Sequence, residues 1–182
     1  IMKKVLITGS AGFTGSHLAK LLSKDASLSL YLSDRANLKE TKRISCDFTD
    51  GASVQKLISD VKPDEIYHLI GSYTNNYDSD YASNVMSSKN ILDAVRRVGT
   101  ACRVLLVGSS AEYGFPLDPQ KGVREEHPLR PVSIYGLMKV YQNSLVGAYV
   151  RLYGMDIVAV RPFNLSGKGM SKVLFIGKME EE

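Results

Sequence analysis

Thr8-Gly9-Ser10-Ala11-Gly12-Phe13-Thr14-Gly15 follows the apolar run Val5-Leu6-Ile7 and opens a segment with Leu18, Leu21 and Leu22 on one face. This is the pattern of a buried strand, a glycine turn and a helix start. Glycines leave no Cβ in the way of a close ligand, and a helix N-terminus offers free N–H groups and partial positive charge. A pyrophosphate fits such a cradle. The spacing is Gly-two-Gly-two-Gly rather than the Gly-one-Gly-two-Gly of the plain fingerprint. Alone, a glycine-rich loop can also be only a turn, so the rest of the chain decides.

Outward from that stretch, short apolar runs alternate with helical patterns. The runs are Val5 to Ile7, Leu28 to Leu32, Arg43 to Cys46, Glu65 to Ile70, Val104 to Val107 and Ile157 to Val160. Their continuous apolar character suits strands covered on both faces. Helices are predicted over Phe13 to Lys24, Ala52 to Asp60, Tyr81 to Val98 and Ser133 to Tyr153, the last two stopping at Gly99 and Gly154. Such alternation predicts an α/β fold: one doubly wound parallel sheet in a three-layer α/β/α arrangement, strand order 3-2-1-4-5-6. Its ligand crevice lies at the carboxyl ends of the strands. The proline-rich segment Gly114 to Pro131 reads as a surface loop near a site.

Composition narrows the partners. The chain has 182 residues and a formal charge of +4, an ordinary single-domain size with a modest basic excess. Basic residues run no longer than pairs such as Lys3-Lys4 and Arg96-Arg97, which gives nucleic-acid binding little support. Cys46 and Cys102 form no metal-type pairing or disulfide framework and read as reduced and buried, as in a cytoplasmic protein. No apolar run is long enough to span a membrane, and no signal peptide is visible. His17, His68 and His127 share no metal spacing: His68 is expected packed in a strand, the others at the surface.

Chemistry-bearing residues collect at the strand ends. Asp34 ends the second run about 20 residues past the loop, where a ribose-binding acid is expected. Arg35 follows at once, and an arginine there can hold a 2′-phosphate instead, so NAD and NADP both remain open. Asp47 ends the third run and can meet an adenine edge. Gly71, past the fourth, lets backbone approach a cofactor. Gly108-Ser109-Ser110 ends the fifth and brings two hydroxyls to the crevice. Tyr73, Tyr77 and Tyr81 either line that crevice or pack.

Tyr135 and Lys139 lie four apart on one helix face. An ammonium beside a phenol favours the phenolate, so the pair predicts a Tyr135 pKa below about 10. Such a phenol exchanges a proton with a carbinol oxygen near neutral pH, with Ser109 hydrogen-bonding the same oxygen and Lys139 able to bind a ribose. By itself the spacing is common on ordinary helices.

Together these residues resemble the extended short-chain dehydrogenase/reductase family, in its nucleotide-sugar epimerase, dehydratase and reductase branch. Thr8 to Gly15 resembles the family's cofactor loop. Asp47-Phe48-Thr49-Asp50 resembles the adenine-side acidic segment and His68-Leu69-Ile70-Gly71 the stretch after strand four. Asn84-Val85 resembles the helix asparagine that props up the active site. Ser109-Ser110-Ala111-Glu112-Tyr113-Gly114 matches the catalytic hydroxyl segment, and Arg161-Pro162-Phe163-Asn164 the segment after strand six. The resemblance implies Ser109 (Ser110 as runner-up), Tyr135 and Lys139 as catalytic. It implies Gly9, Ala11, Gly12, Phe13, Thr14, Gly15, Asp34, Arg35, Asp47, Phe48, Ile70, Gly71, Ser72, Val107, Tyr135, Lys139 and Pro162 as the NAD or NADP site. Ser109, Ser110, Ala111, Tyr135 and Asn164 would meet a nucleotide-sugar.

The departures are informative. Dehydratases of this branch carry an Asp-Glu pair where this chain has Ser110 and Ala111, which argues against a 4,6-dehydratase. Glu112-Tyr113-Gly114 with Arg-Pro-Phe-Asn looks most like reductases of 4-keto-6-deoxy GDP-sugars. The expected reaction is keto reduction or epimerisation, against a non-catalytic NAD(P)-binding sensor that would have no need of Ser109, Tyr135 and Lys139. Residues 1–182 read as the dinucleotide-binding domain, with the family's C-terminal substrate lobe absent or truncated after about residue 165. The resemblance also implies a homodimer through helices 81–98 and 133–153.

Overall fold

The computed structural model describes residues 2–35, 43–116, 118 and 120–170. The acidic end Glu180-Glu181-Glu182 lies outside them. In chain order the elements are β1 (Lys3–Thr8), α1 (Phe13–Leu22), β2 (Leu28–Asp34), β3 (Ile44–Ser45), α2 (Gly51–Val61), β4 (Glu65–His68), α3 (Tyr77–Asp80), a π-helical segment (Tyr81–Met86), α4 (Ser87–Val98), β5 (Arg103–Val107), a single 3₁₀ turn (Ser110–Glu112), α5 (Ile134–Tyr153) and β6 (Ile157–Val160). The six strands make one sheet of order β3-β2-β1-β4-β5-β6, every neighbouring pair parallel. This is the predicted doubly wound arrangement.

Strand periodicity divides the core. Leu6 points to one face of the sheet with Ile66, Val104 and Leu106, under residues from α2, α4 and α5. Val5 and Ile7 point to the other, where they meet Ala19 of α1 and the half-buried Leu18 and Leu22. All three residues of the central run are fully buried, as a strand covered on both faces requires. Local chemistry sets the helix starts: the Asp50 carboxylate accepts N–H bonds from Ala52 and Ser53 at α2, and Ser133 Oγ accepts from Gly136 at α5.

Boundaries differ from expectation where tertiary contacts outweigh periodicity. The fourth strand ends at His68, because Leu69 to Ser72 turn into the cleft. The third shrinks to Ile44–Ser45. The helix expected from Tyr81 begins at Tyr77, capped by Asn76, and passes through one widened turn. Both cysteines are free and buried. His68 is buried, with Nδ1 2.8 Å from Thr8 Oγ1 and Nε2 3.2 Å from Ser87 Oγ. Burial and the Lys139 charge push its pKa down to about 3, so it packs as a neutral imidazole.

The glycine loop is steric in origin. Gly9 has φ +66°, and a Cβ on Gly15 would lie 2.2 Å from the Gly9 carbonyl oxygen. Gly15→Ala is therefore expected to lower unfolding free energy by about 1–3 kcal/mol, as overpacking does. Urea denaturation measures this, and an unchanged midpoint would contradict the contact.

Candidate active site

The C-terminal ends of β1, β2, β4 and β5 surround one cleft. Its larger part, about 380 Å³, is lined by Gly9, Ala11, Gly12, Asp34, Arg35, Asp47, Phe48, Ile70, Gly71 and Ser72 among others. A further part of about 200 Å³ shares Leu69, Ile70, Gly71 and Ser72 and adds Tyr73, Val107, Gly108, Tyr135 and Lys139. A larger hollow of about 650 Å³ sits at the opposite ends of the strands. Of its charged residues, Lys3 pairs with Glu65 and Arg103 with Asp156.

At the dinucleotide end, Asp34 does two things. Its Oδ2 accepts the Ala11 N–H at 2.9 Å and its Oδ1 accepts the Arg35 N–H at 2.8 Å, tying the glycine loop to the end of β2. A carboxylate has further lone pairs, so it can still meet a ribose hydroxyl. Arg43, which the sequence pattern gave no reason to single out, donates from Nε to Ser10 Oγ at 3.1 Å and braces the loop from β3's side. Asn90 donates to the Phe48 and Thr49 carbonyls and holds the adenine-side turn.

At the other end, Lys139 is buried on α5. Its Nζ donates to the Val107 carbonyl at 2.9 Å and to Gln142 Oε1 at 3.0 Å, and Gln142 Nε2 donates to the same carbonyl. Desolvation pulls its pKa down to about 8, opposed by the Glu112 charge. Gly71 makes room for this arrangement: a Cβ there would lie 2.8 Å from Asn84 Oδ1 and 3.2 Å from Lys139 Nζ. Asn84 sits in the π-helical segment and donates to the Ser72 and Asp80 carbonyls. Its Oδ1 is buried without a donor among the described residues.

The expected acidic shift of Tyr135 is overturned. Burial pushes the phenol up, the Ser109 hydroxyl pulls it down, and the Glu112 and Asp80 charges push it up further. The lysine stands beside the ring, Nζ 5.7 Å from its centroid, with two of its three protons on Val107 and Gln142. Desolvation therefore wins over the four-residue spacing.

Asp80, another residue the sequence pattern did not reveal, is fully buried. It accepts from Ser72 Oγ, Thr74 Oγ1 and the Thr74 and Asn75 N–H groups. These bonds hold its pKa low against the desolvation cost. They fix the loop that carries Tyr73, whose ring packs edge-on against Tyr135 with centroids 5.3 Å apart. Tyr77 and Tyr81 stack on each other instead.

Other candidates lie outside the cleft lining. Gly15 is buried in the loop itself, and Phe13 and Thr14 open α1. The Pro162 carbonyl accepts the Ser110 N–H, pinning the β6 end to the Ser109 segment. Ser110 and Ala111 stand half-buried in the 3₁₀ turn, and Asn164 is exposed beyond β6. Among the described residues no group of histidine, cysteine or acidic side chains could hold a metal, and no helix is long and apolar enough to cross a membrane.

A strand–glycine–helix cradle, an acidic β2 end and a phenol–ammonium wall in one cleft, with Ser109 outside that lining but within reach of the Tyr135 phenol, define a dinucleotide-binding class of site. The chain belongs to the NAD dependent epimerase/dehydratase family, whose pattern it matches over residues 5–181. It is 30% identical to the GDP-6-deoxy-D-talose 4-dehydrogenase of Aggregatibacter actinomycetemcomitans over 97% of its own length and 58% of that protein's. Among solved structures it resembles the UDP-glucose 4-epimerase of Brucella ovis in complex with NAD (TM-score 0.81, 28% identity, 91% of this chain and 53% of that one). It also shares the fold of RMD from Pseudomonas aeruginosa complexed with NADPH (TM-score 0.83, 23% identity, 97% and 58%). The chain thus spans little more than half the length of these relatives.

The lysine supplies a pH test. Its pKa falls from 10.5 unfolded to about 8 folded, so between those values the unfolded chain binds more protons. Stability then rises with pH across that window. Relative to Lys139→Met, the native protein is expected to gain about 2 kcal/mol from pH 8 to pH 10, read by urea denaturation. A flat difference would contradict the burial.

Proposed function

We propose that this chain binds NAD or NADP and that the protein is a nucleotide-sugar oxidoreductase or epimerase. Hydride would move between nicotinamide and a keto or hydroxyl carbon of the sugar, in 4-keto reduction or epimerisation. The observation supporting this most strongly is that the Tyr135–Lys139 wall opens into the same cleft as the glycine loop. The residues present fit a dinucleotide. The loop leaves backbone N–H groups open at the N-terminus of α1, and Gly71 keeps side chains out of the middle of the cleft. When bound, the nicotinamide supplies or takes the hydride.

The remaining work falls to the chain. The N–H groups at the α1 N-terminus hold the pyrophosphate; Asp34 and Arg35 meet the adenosine ribose; Asp47 and Phe48 flank the adenine. Tyr135 Oη gives its proton to the nascent alkoxide in reduction and takes it back in oxidation. The raised phenol pKa suits the donor role. Ser109 hydrogen-bonds the same oxygen, and Lys139 holds positive charge beside the developing phenolate while reaching for the ribose.

The particular sugar waits on the share of the relatives beyond this chain, where we infer that a substrate lobe contributes. GDP-sugar 4-keto reduction is favoured by the Glu112-Tyr113-Gly114 segment and by the talose dehydrogenase likeness. A homodimer through Tyr81 to Val98 and α5 is supported by the exposed Tyr141 and Val150 on α5. A cytoplasmic setting is in keeping with the two free cysteines.

The test measures NAD(P)H absorbance, for net reduction, and the sugar composition of the product, for epimerisation, with keto- and hydroxy-nucleotide-sugars on the longest natural form of the polypeptide. Tyr135→Phe is expected to lose turnover by about 100-fold or more while binding dinucleotide as before. Normal turnover in that variant would end the assignment. Dinucleotide binding with no turnover on any substrate would favour a sensor.

A further inference from the structure

Glu112 is fully buried, carries a carboxylate, and has no part in the chemistry described so far. Ser109 is extended and caps the one-turn helix that follows. Ser109 Oγ accepts the Ala111 N–H at 3.1 Å, and Glu112 Oε1 accepts the Ser109 N–H at 2.9 Å. The two residues thus cap each other. Glu112 Oε2 accepts from Arg161 Nε at 2.8 Å, beyond β6, and from Asn143 Nδ2 at 3.1 Å, on α5. One carboxylate therefore joins the β5 end, α5 and the β6 end.

Two further contacts lock it. The Arg161 guanidinium also donates to Tyr113 Oη at 3.1 Å and lies over that ring. A Cβ on Gly108 would lie 2.3 Å from Glu112 Oε1, so the carboxylate reaches the Ser109 amide only because residue 108 has none. With one lone pair of Ser109 Oγ taken by the Ala111 N–H, the hydroxyl keeps its O–H free to donate to the Tyr135 phenol, whose pKa it pulls down.

We propose that Glu112 is a positioning residue: a buried carboxylate that fixes the Ser109 hydroxyl and whose charge acts on the Tyr135–Lys139 pair. The proposal rests on the reading of Ser109 and Tyr135 as the groups that meet the reacting oxygen. It implies that Arg161, counted in sequence with the substrate-side segment, is spent on Glu112. The titratable groups facing the pair are the charged Glu112 and Asp80 at Tyr135, and the charged Glu112 with the neutral His68 at Lys139. Glu112 raises the pKa of both phenol and ammonium. Removing its charge must therefore bring both deprotonations to lower pH.

The test uses Glu112→Gln together with Glu112→Gln/Arg161→Met, which leaves no orphaned buried cation should the single variant fail to fold. In a folded variant, kcat is expected to fall about 10- to 100-fold with dinucleotide affinity unchanged. The basic limb of the kcat–pH profile should shift to lower pH. The Tyr135 ring-carbon NMR titration, which needs no turnover, should shift the same way. In the native protein the Ser109 amide should exchange slowly with solvent.

Unmoved pH profile and Tyr135 titration in a folded variant, or fast exchange at the native Ser109 amide, would overturn the proposal. Full turnover in Ser109→Ala and Tyr135→Phe would instead overturn the reading it rests on, while the Ser109 amide would stay protected.

Discussion

Burying the Lys139 ammonium costs several kcal/mol unless its protons find acceptors, and much of the cleft follows from how that cost is met. The acceptors are the Val107 carbonyl at the end of β5 and the Gln142 amide one turn along α5. The Val107 carbonyl accepts from both Lys139 and Gln142, and these two bonds draw α5 against the β5 end. Tyr135, one turn earlier on the same face, is thereby carried to the cleft wall beside Gly71 and Ser72. The lysine shapes the site as a bound cation first, and its effect on the phenol is secondary to burial.

Carboxylates, those of Asp80 and Glu112 buried and that of Asp34 part-exposed, do the corresponding work in the loops. Asp34 ties the glycine loop to β2, Asp80 gathers the loop after β4, and Glu112 gathers the turn after β5. Each accepts backbone N–H groups that would otherwise be unpaired near a cleft. Such charge-assisted bonds are stronger than neutral ones. The loops at the crevice can therefore be irregular yet fixed, which is what positioning reactants demands.

Much of this was legible in the chain. Continuous apolar runs gave the buried strands, their alternation with helices gave the doubly wound parallel order, and Gly99 and Gly154 marked helix ends. The glycine loop, Asp34, Asp47, Gly71, Tyr135 and Lys139 do share one cleft. Four things were not legible, for physical reasons. The π-helical turn at Asn84 leaves the apolar stripe intact, so periodicity is blind to it. Asp80 and Glu112 look like surface acids in sequence, since burial of a charge depends on donors supplied from afar. Arg43 reaches Ser10 across 33 positions. The sign of the Tyr135 shift depends on desolvation, which a four-residue spacing does not encode.

The central claim is that the phenol of Tyr135 stands where hydride chemistry happens. A crystal structure of the protein with NADH or NADPH bound tests it directly. The account predicts the nicotinamide ring in the part of the cleft between Gly71 and Tyr135, its C4 leaving room for one sugar carbon whose oxygen lies about 3 Å from Tyr135 Oη. A nicotinamide ring held elsewhere, with Tyr135 and Ser109 facing only protein, would contradict it.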